Sequence, residues 1–242
     1  MNIKNLNKPT NDLPYYLIDK LSQLNIYNLN DLKRHNYLKV YKWLQYLYPV
    51  NTKLTLYHLY CLVNDIDLIN LNIQLKQQIL IDLKLILPSY PPLAYNIIND
   101  HLDSAVSIAN QAIRYQEIPI GAIIVYQDNI IAYGYNQTRT NCDITQHAEI
   151  VAIRYAQKKL NNYRLDTCDL YVTIEPCLMC AGAIMQSRVR RLIFGAVEPK
   201  TGAIVSQYQI FNNLTVNHHT ETIGPINNIK YKQQLQYFFH LL

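Results

Sequence analysis

Three prolines in the segment LPSYPPL (87–93) divide this 242-residue chain into two parts with different hydrophobic periods. Proline fixes its own φ angle and disfavours helical backbone in the residue before it, so a helix is not expected to run through this segment. Apolar residues repeat at helical spacing before it, whereas short β-type runs alternate with helical runs beyond residue 120. The sequence therefore predicts an all-helical domain over residues 1–90, a proline-rich linker over 91–98 and an α/β domain over 99–242.

The expected elements follow from these periods. Four helices are predicted in the first part, at 13–24, 32–47, from Thr52 or Thr55 through residue 62, and 75–85. In the second part, Asn99 or Asp100 is predicted to cap the first helix. A hairpin, a helix, a strand, a helix and a strand are then predicted at 120–126 with 130–133, 150–160, 170–175, 177–186 and 191–194. This order indicates a central sheet covered by helices.

The composition agrees with two domains and limits the cellular compartments in which the protein is expected. All six glycines lie beyond residue 120, and the first of five glutamates is Glu117. The net charge of +5 permits a polyanionic partner such as nucleic acid without identifying one. The start MNIKNLNKPT has no apolar core, no apolar run approaches about 18 residues, and the cysteine count of five is odd. We therefore expect a cytoplasmic protein with reduced thiols, no signal peptide and no membrane association.

Two short motifs in the second part carry side chains suited to a catalytic metal. His147 and Glu149 open a helical run, and Cys177 and Cys180 follow Pro176, which suits the first position of a helix. One imidazole and two thiolates supply three ligands for tetrahedral Zn²⁺ and leave the fourth position for water. Glu149 lies two residues beyond His147 and so faces another direction, from which it is predicted to move the proton of that water.

Each part of this pattern also has a simpler interpretation. A C-x-x-C pair occurs in redox proteins, but that motif does not need His-x-Glu upstream. A structural zinc site usually takes four protein ligands, and the sequence has no second C-x-x-C and no H-x₃₋₅-H motif. His147 taken alone is typical of an ordinary half-buried histidine. The combination favours a catalytic zinc site.

The motif combination H-x-E…P-C-x-x-C is the signature of zinc deaminases that act on nucleobases. Residues 99–219 resemble the bacterial tRNA adenosine deaminase family (TadA). The segments that carry the resemblance are EIPIGAIIV (117–125), GYN (134–136), HAEIVAIR (147–154), NYRL (162–165), LYVTIEPCLMCAGAI (170–184), SRVRRLIFGA (187–196) and PKTGA (199–203). The resemblance implies a three-layer αβα cytidine deaminase-like domain with a mixed central sheet, preceded here by a small all-α domain.

The same resemblance implies roles for individual residues. The implied ligands of one Zn²⁺ per subunit are His147, Cys177 and Cys180, and the implied catalytic proton shuttle is Glu149. The implied substrate-binding residues are Asn136, Glu198, Lys200, Asn217 and His218. The implied reaction is hydrolytic deamination of adenosine to inosine at the wobble position of tRNA, by zinc-activated water. The implied assembly is a homodimer that contacts the anticodon arm.

Two other functions remain open: a zinc-dependent deaminase of a free base or nucleotide, and a non-catalytic RNA-binding module stabilised by zinc. PKTGA and NYRL favour tRNA over a small substrate, and Glu149 favours catalysis because a structural site does not need it. Three arginines, Arg188, Arg190 and Arg191, are candidates either for phosphate binding or for a solvated charged surface. After PKTGA, the residues Ile204-Val205-Ser206 depart from the family pattern of a second small residue and a glycine.

The first part resembles the C-terminal domain of the TfoX competence regulators over residues 13–63. That domain is a small helical unit related to helix-hairpin-helix modules, whose loops bind phosphate through glycine amides. The loop predicted here, Pro14-Tyr15-Tyr16, has no glycine. The sequence therefore favours a packing or assembly role for this domain over tRNA docking.

Overall fold

The computed structural model describes residues 13–48 and 52–240. The chain divides into two compact units, residues 1–92 and 93–242, each with its own hydrophobic core. Residues 1–10, whose composition predicts no signal peptide, lie outside the described part. Among the residues that are described, no helix is both long enough and apolar enough to span a membrane.

The first unit is helical throughout its described residues, apart from its connections. Its helices are α1 (Tyr15–Gln23), α2 (Leu29–His35), α3 (Tyr37–Leu47), α4 (Lys53–Asn64) and α5 (Ile73–Leu85). Leucines from successive helices fill the core, among them the fully buried Leu17, Leu32, Leu44 and Leu59. Tyr15 and Tyr16 belong to the first turn of α1, so the loop predicted at Pro14–Tyr16 is wrong.

A single asparagine divides the helix predicted at 32–47 into two. Asn36 has a φ of 65°, in the left-handed region that asparagine tolerates better than most residues. Its side-chain oxygen accepts a hydrogen bond from the Leu38 N–H at 2.9 Å, which caps the start of α3. The apolar spacing continues across Asn36, and the periodicity therefore did not reveal the break.

The second unit is built on a five-stranded mixed sheet. The strands are β1 (Gly121–Tyr126), β2 (Asn129–Tyr135), β3 (Cys168–Ile174), β4 (Arg191–Ala196) and β5 (Glu221–Ile223). The helices are α6 (Tyr95–Ile113), α7 (Ala148–Leu160), α8 (Leu178–Gln186) and α9 (Asn228–His240). The strand order is β2-β1-β3-β4-β5, with β1 antiparallel to β2 and β3, and β4 parallel to β3 and β5.

The predicted hairpin is confirmed, with a two-residue turn. Gln127 and Asp128 both have positive φ angles, of 48° and 60°. Tyr126 pairs with Asn129 on either side of them. Two consecutive left-handed residues match the right-handed twist of the flanking strands, which is why this turn closes a tight hairpin.

Alternate residues of the central strands pack against different helices. Ile124, Leu170 and Phe194 belong to the core beneath α7 and α8. Ile123, Tyr171 and Ile193 belong to a second core beneath α6 and α9. Helices therefore cover both faces of the sheet, and the predicted three-layer αβα arrangement with a mixed sheet is confirmed.

Three details differ from the prediction. Helix α6 begins at Tyr95, not at Asn99 or Asp100, so the last residues of the predicted linker are helical. Strand β5 was missed because three residues are too few to show a period of two. Helix α9 follows the last predicted strand and was not among the predicted elements. It packs on β4.

Candidate active site

Helices α7 and α8 begin close to each other, and each begins at a predicted metal ligand. His147 is the capping residue before α7, and Cys177 is the capping residue before α8. Cys180 lies in the first turn of α8. Pro176 stands one residue before Cys177, and not at the first helical position as predicted, because the helix begins at Leu178. The three predicted ligands thus come together where strand-to-helix connections end.

The ligand atoms of His147, Cys177 and Cys180 all lie within 4.8 Å of one another. The Nδ1 atom of His147 is 3.7 Å from the Cys177 Sγ atom and 3.5 Å from the Cys180 Sγ atom. Tetrahedral zinc, with Zn–N near 2.0–2.1 Å and Zn–S near 2.3 Å, separates nitrogen and sulfur ligands by about 3.6 Å. The donor set and its spacing therefore fit zinc with three protein ligands.

The electrostatics of these three side chains favour metal binding by Cys177. Hydrogen bonds from Cys180 and His147 lower the pKa of Cys177 to about 4. The same contact with Cys177, together with burial, raises the pKa of Cys180. The hydrogen bond with Cys177 also raises the pKa of His147. A thiolate is the form of cysteine that binds metal, and Cys177 adopts it readily here.

Glu149 occupies the first turn of α7, two residues after His147, and its side chain is 3% exposed. Burial raises the pKa of this carboxyl group. An elevated pKa is expected of a carboxyl group that takes up and releases a proton near neutral pH. The structure places Glu149 beside the three candidate ligands, as the sequence predicted.

Asn136 lies at the end of β2, where the chain enters the loop that leads to His147. Its side-chain oxygen accepts a hydrogen bond from the Ala148 N–H at 3.0 Å, so it helps to fix the start of α7. The side chain is 3% exposed. Its amide nitrogen makes no hydrogen bond to the residues that the structure describes, and this leaves a donor beside the metal cluster.

Backbone hydrogen bonds join the loop that carries Glu198 and Lys200 to the start of α8. The Ala203 N–H donates to the carbonyl oxygen of Pro176 at 2.9 Å, and Cys177 pairs with Gly202 across an isolated bridge. Glu198 is partly buried and its carboxylate accepts from the Lys200 N–H, whereas Lys200 is exposed. The structure thus brings both residues to the region of the metal cluster.

A buried carboxylate that the sequence analysis did not single out holds this loop in place. Glu175 is 2% exposed, and its oxygens accept hydrogen bonds from five donors. The donors are the backbone N–H groups of Glu198, Ile204, Val205 and Ser206 and the Ser206 hydroxyl. A Cβ atom at Gly202 would lie 2.4 Å from Glu175 Oε2, so this close approach requires glycine.

A second buried carboxylate holds the loop between β2 and α7. Glu117 is 1% exposed and accepts from the Thr140 N–H at 2.7 Å and the Thr138 hydroxyl at 3.2 Å. Both glutamates stand in segments that carry the family resemblance, Glu117 in EIPIGAIIV and Glu175 in LYVTIEPCLMCAGAI, but nothing in these segments marks a structural role. The bonds themselves join residues more than 20 positions apart and leave no local pattern.

Asn217 and His218 lie elsewhere. His218 Nε2 is 3.3 Å from the Val189 carbonyl oxygen, and Arg188 donates to the Asn217 carbonyl oxygen at 3.2 Å. Arg188 and Val189 follow the C-terminal end of α8, whereas Cys177 lies at its N-terminal end. The structure does not bring this pair to the metal cluster, and their substrate role stays a prediction.

Two of the three candidate phosphate-binding arginines are committed to ion pairs. Arg190 binds both oxygens of Asp169, at 2.7 and 2.8 Å. Arg191 lies 2.8 Å from Glu221 and 3.5 Å from Asp169, and its side chain is 5% exposed. These pairs join β3, β4 and β5. Arg190 and Arg191 therefore stabilise the sheet and form neither a phosphate site nor a solvated surface.

The second unit of the chain, which contains the site, is similar to known deaminases. Residues 96–196, which include all three candidate ligands and Glu149, match the cytidine and deoxycytidylate deaminase zinc-binding region. The chain is 45% identical over 136 residues to a tRNA-specific adenosine deaminase of Haemophilus influenzae, covering 56% of this chain and 79% of the relative. It is 41% identical over 138 residues to one of Agrobacterium fabrum, covering 57% and 91%.

A solved structure from studies of A-to-I editing by tRNA:A34 deaminases also superposes on this chain. It has 38% sequence identity and a TM-score of 0.53, and the match covers 58% of this chain and 99% of that one. The crystal structure of a mutant of the protein NE0047 in complex with 8-azaguanine, with 22% identity and a TM-score of 0.51, shares the fold. Together with the matched zinc-binding region, these likenesses confirm the cytidine deaminase-like fold and indicate zinc as the metal.

Proposed function

Because this chain belongs to the family of tRNA-specific adenosine deaminases, we propose that it converts adenosine to inosine at the wobble position of tRNA. The observation that carries the proposal is the joint geometry of His147, Cys177, Cys180 and the adjacent buried Glu149. Three protein ligands leave the fourth position of tetrahedral zinc for water, and a structural zinc site would not need Glu149 beside it.

The reaction adds water to C6 of adenine and releases the exocyclic amino group as ammonia. A zinc ion held by the three ligands supplies the Lewis acidity that makes water nucleophilic near neutral pH. Glu149 takes one proton from the attacking water and delivers it to N1 of the base. It then takes the second proton from the resulting C6 hydroxyl group and passes it to the departing amino group, so that the C6 carbonyl forms as ammonia leaves. General acid and base assistance of this kind is worth roughly 10²- to 10⁴-fold in rate.

Other residues bind the substrate. We assign to Asn136 a hydrogen bond from its uncommitted amide nitrogen to the target nucleoside, because its oxygen is occupied by the Ala148 N–H. Glu198 and Lys200 contact the anticodon arm from the loop fastened to α8. A nucleotide in a loop is poorly stacked, so turning it into the site costs only a few kcal/mol.

The direct test uses the zinc-loaded full-length protein and a tRNA transcript with adenosine at position 34. We expect inosine to form, and Glu149→Gln to reduce the rate by at least about 100-fold while zinc content stays at one per chain. Asp166→Ala, at an exposed acid outside the site, is the control and keeps the wild-type rate. Absence of inosine with the wild-type protein, or equal rates with Glu149→Gln, contradicts the proposal.

The same preparation separates the alternative functions. Turnover of free adenine, adenosine or guanine without turnover of tRNA would favour a deaminase of small substrates. Binding of tRNA with zinc but without turnover would favour an RNA-binding module.

We further propose that the protein is a homodimer, as the family resemblance implies, with one zinc per subunit. Sedimentation velocity of the zinc-loaded protein at micromolar concentration tests this, and a monomer throughout that range contradicts it.

For the helical domain predicted at residues 1–90, we propose a packing or assembly role. Lys33, Arg34 and Lys39 are exposed cations on α2 and α3. Replacing all three with alanine in the full-length chain is expected to leave the KM for tRNA unchanged. A rise in KM would instead assign tRNA docking to this domain, because phosphate contacts supply much of the affinity for nucleic acid.

A further inference from the structure

Two adjoining cavities lie beside α7, and the edge strand β2 forms part of the lining of the larger one. The larger, of about 700 Å³, is lined by strand β2 and α7, including Tyr133, Tyr135, Tyr155, Lys158 and Lys159. The smaller, of about 250 Å³, shares Tyr155 and Lys158 with it. Because they share side chains, we treat the two cavities as one groove, called the α7 groove below.

One end of the α7 groove is formed by residues that are sequence neighbours of the candidate active site. Gln137, which lines both cavities, follows Asn136, and Gln146, which lines the smaller one, precedes His147. The Gln137 N–H donates to the Gln146 carbonyl oxygen at 2.9 Å, so the two residues form one end of the groove. Lys158 is eleven residues along α7 from His147, a distance of about 16 Å at 1.5 Å per residue.

The lining of the groove suits single-stranded nucleic acid. Tyr133 and Tyr155 are 51% and 57% exposed, and their rings are available for base stacking. Arg154, Lys158 and Lys159 supply positive charge, and no residue that lines either cavity is acidic. Within the described residues, neither lysine has an ion-pair partner.

One acid lies outside the lining but near it. The Asp143 carboxylate accepts hydrogen bonds from Thr145 and Gln146, and Arg154 contributes to the lowering of its pKa. Arg154 is therefore partly neutralised. The uncompensated charge of the groove is carried by Lys158 and Lys159, at the end away from the metal cluster.

We propose that the α7 groove holds nucleotides that flank the target nucleotide, with bases on the tyrosines and phosphates at Lys158 and Lys159. This inference rests on the proposed function, because it takes RNA as the substrate of the adjacent site. At a stacked spacing of about 3.4 Å per nucleotide, the distance of about 16 Å between His147 and Lys158 accommodates about five nucleotides.

A second copy of the chain is the competing occupant. A two-fold contact centred on the groove would bring the cations of both copies together without an acidic side chain in either lining to offset them. Charge complementarity therefore favours a polyanion, and self-association becomes an outcome of the test.

The test measures tRNA binding to the full-length protein at several salt concentrations, independently of inosine formation. The double variant Lys158→Ala/Lys159→Ala is expected to raise the Kd about tenfold at 0.1 M salt. It should also reduce the slope of log Kd against log salt by about 1.4, at about 0.7 per released contact to a single strand. Lys232→Ala, on α9 across the sheet, is the matched control and leaves both unchanged.

Stacking is tested separately at Tyr155. Tyr155→Ala is expected to weaken binding about fivefold or more, and Tyr155→Phe, which keeps the ring, is expected to retain wild-type affinity. Tyr155 is 57% exposed, so its replacement does not disturb the core, and far-UV circular dichroism of each variant verifies that it is folded. Unchanged affinity and salt slope in the lysine double variant would overturn the proposal.

A change in oligomeric state of the lysine variant, seen by sedimentation, would also overturn the proposal, since it would make the groove an interface between copies. Failure of the proposed function is a different result: the wild-type protein would form no inosine, whether or not the lysine variant lost tRNA affinity.

Discussion

Replacement of Glu175 with glutamine tests how the loop beside the metal cluster is held. The carboxylate accepts five hydrogen bonds, three of them at Oε1, from the backbone N–H groups of Ile204, Val205 and Ser206 at 2.7–3.0 Å. A glutamine side chain has one acceptor oxygen and one NH₂ group. The best orientation keeps the oxygen at the Oε1 position and turns the NH₂ group towards the N–H of Glu198.

The cost follows from this orientation. Hydrogen bonds to a charged group contribute about 1.5–3 kcal/mol and neutral ones about 0.5–1.5, so three bonds lose about 1 kcal/mol each. The Glu198 N–H then faces another donor, and an unsatisfied buried donor costs about 1–3 kcal/mol. Allowing for non-additivity between neighbours, we expect Glu175→Gln to destabilise the loop by about 3–5 kcal/mol.

Amide hydrogen exchange measures this locally. The amides of Glu198, Ile204, Val205 and Ser206 are expected to lose protection in Glu175→Gln, while amides within β1 and β3 keep theirs. Ser206→Ala, which removes one donor and leaves the carboxylate charged, is the control and is expected to cost about 1 kcal/mol. A loss of protection worth less than 1 kcal/mol in Glu175→Gln would refute the reasoning.

Three other predictions follow from contacts in the second unit. Asp169→Ala leaves Arg190 without its bidentate partner and is expected to lower the free energy of unfolding by about 3 kcal/mol, measured by urea denaturation with Asp166→Ala as control. Hydrogen bonds from Gln146 and Thr145 hold the pKa of Asp143 at about 2. Above the ordinary carboxyl pKa near 4, the ionised Asp143 side chain therefore stabilises the folded state. This stabilisation is lost as the pH falls through about 2. The difference in Tm between the wild type and Asp143→Asn should accordingly shrink between pH 4 and pH 2, and a constant difference would contradict this. Chelation of the metal is expected to lower the Tm and stop inosine formation, and added zinc to restore both; activity that survives complete metal removal would exclude the zinc mechanism.

The metal cluster was predictable because its determinants are local. Cys177 and Cys180 stand three apart at a helix start, and His147 and Glu149 stand at another, so short-range spacing already orients each pair. That the two helix starts meet depends on the sheet, which the order of strands and helices predicted. The sequence therefore identified the donor set before its geometry was visible.

The supporting contacts were not predictable in the same way. Glu117 and Glu175 act through donors more than 20 residues away, and neither position has a spacing that marks it. Arg190 and Arg191 looked equally suited to phosphate and to solvent, because the partner Asp169 is adjacent only in the folded sheet. Asn36 breaks a helix by its backbone angle, which apolar periodicity does not report.

The hydrogen-bond donors of the Glu175 carboxylate determine which substitutions the loop can tolerate during evolution. Four of its five donors are main-chain amides, and every residue except proline supplies one. The exposed side chain at position 205 is therefore free to diverge without releasing the loop, whereas Ile204 is 3% exposed and its side chain belongs to the hydrophobic core. Proline at 198, 204, 205 or 206 is the substitution that this arrangement excludes, and relatives that keep a glutamate at the equivalent of position 175 should lack it there.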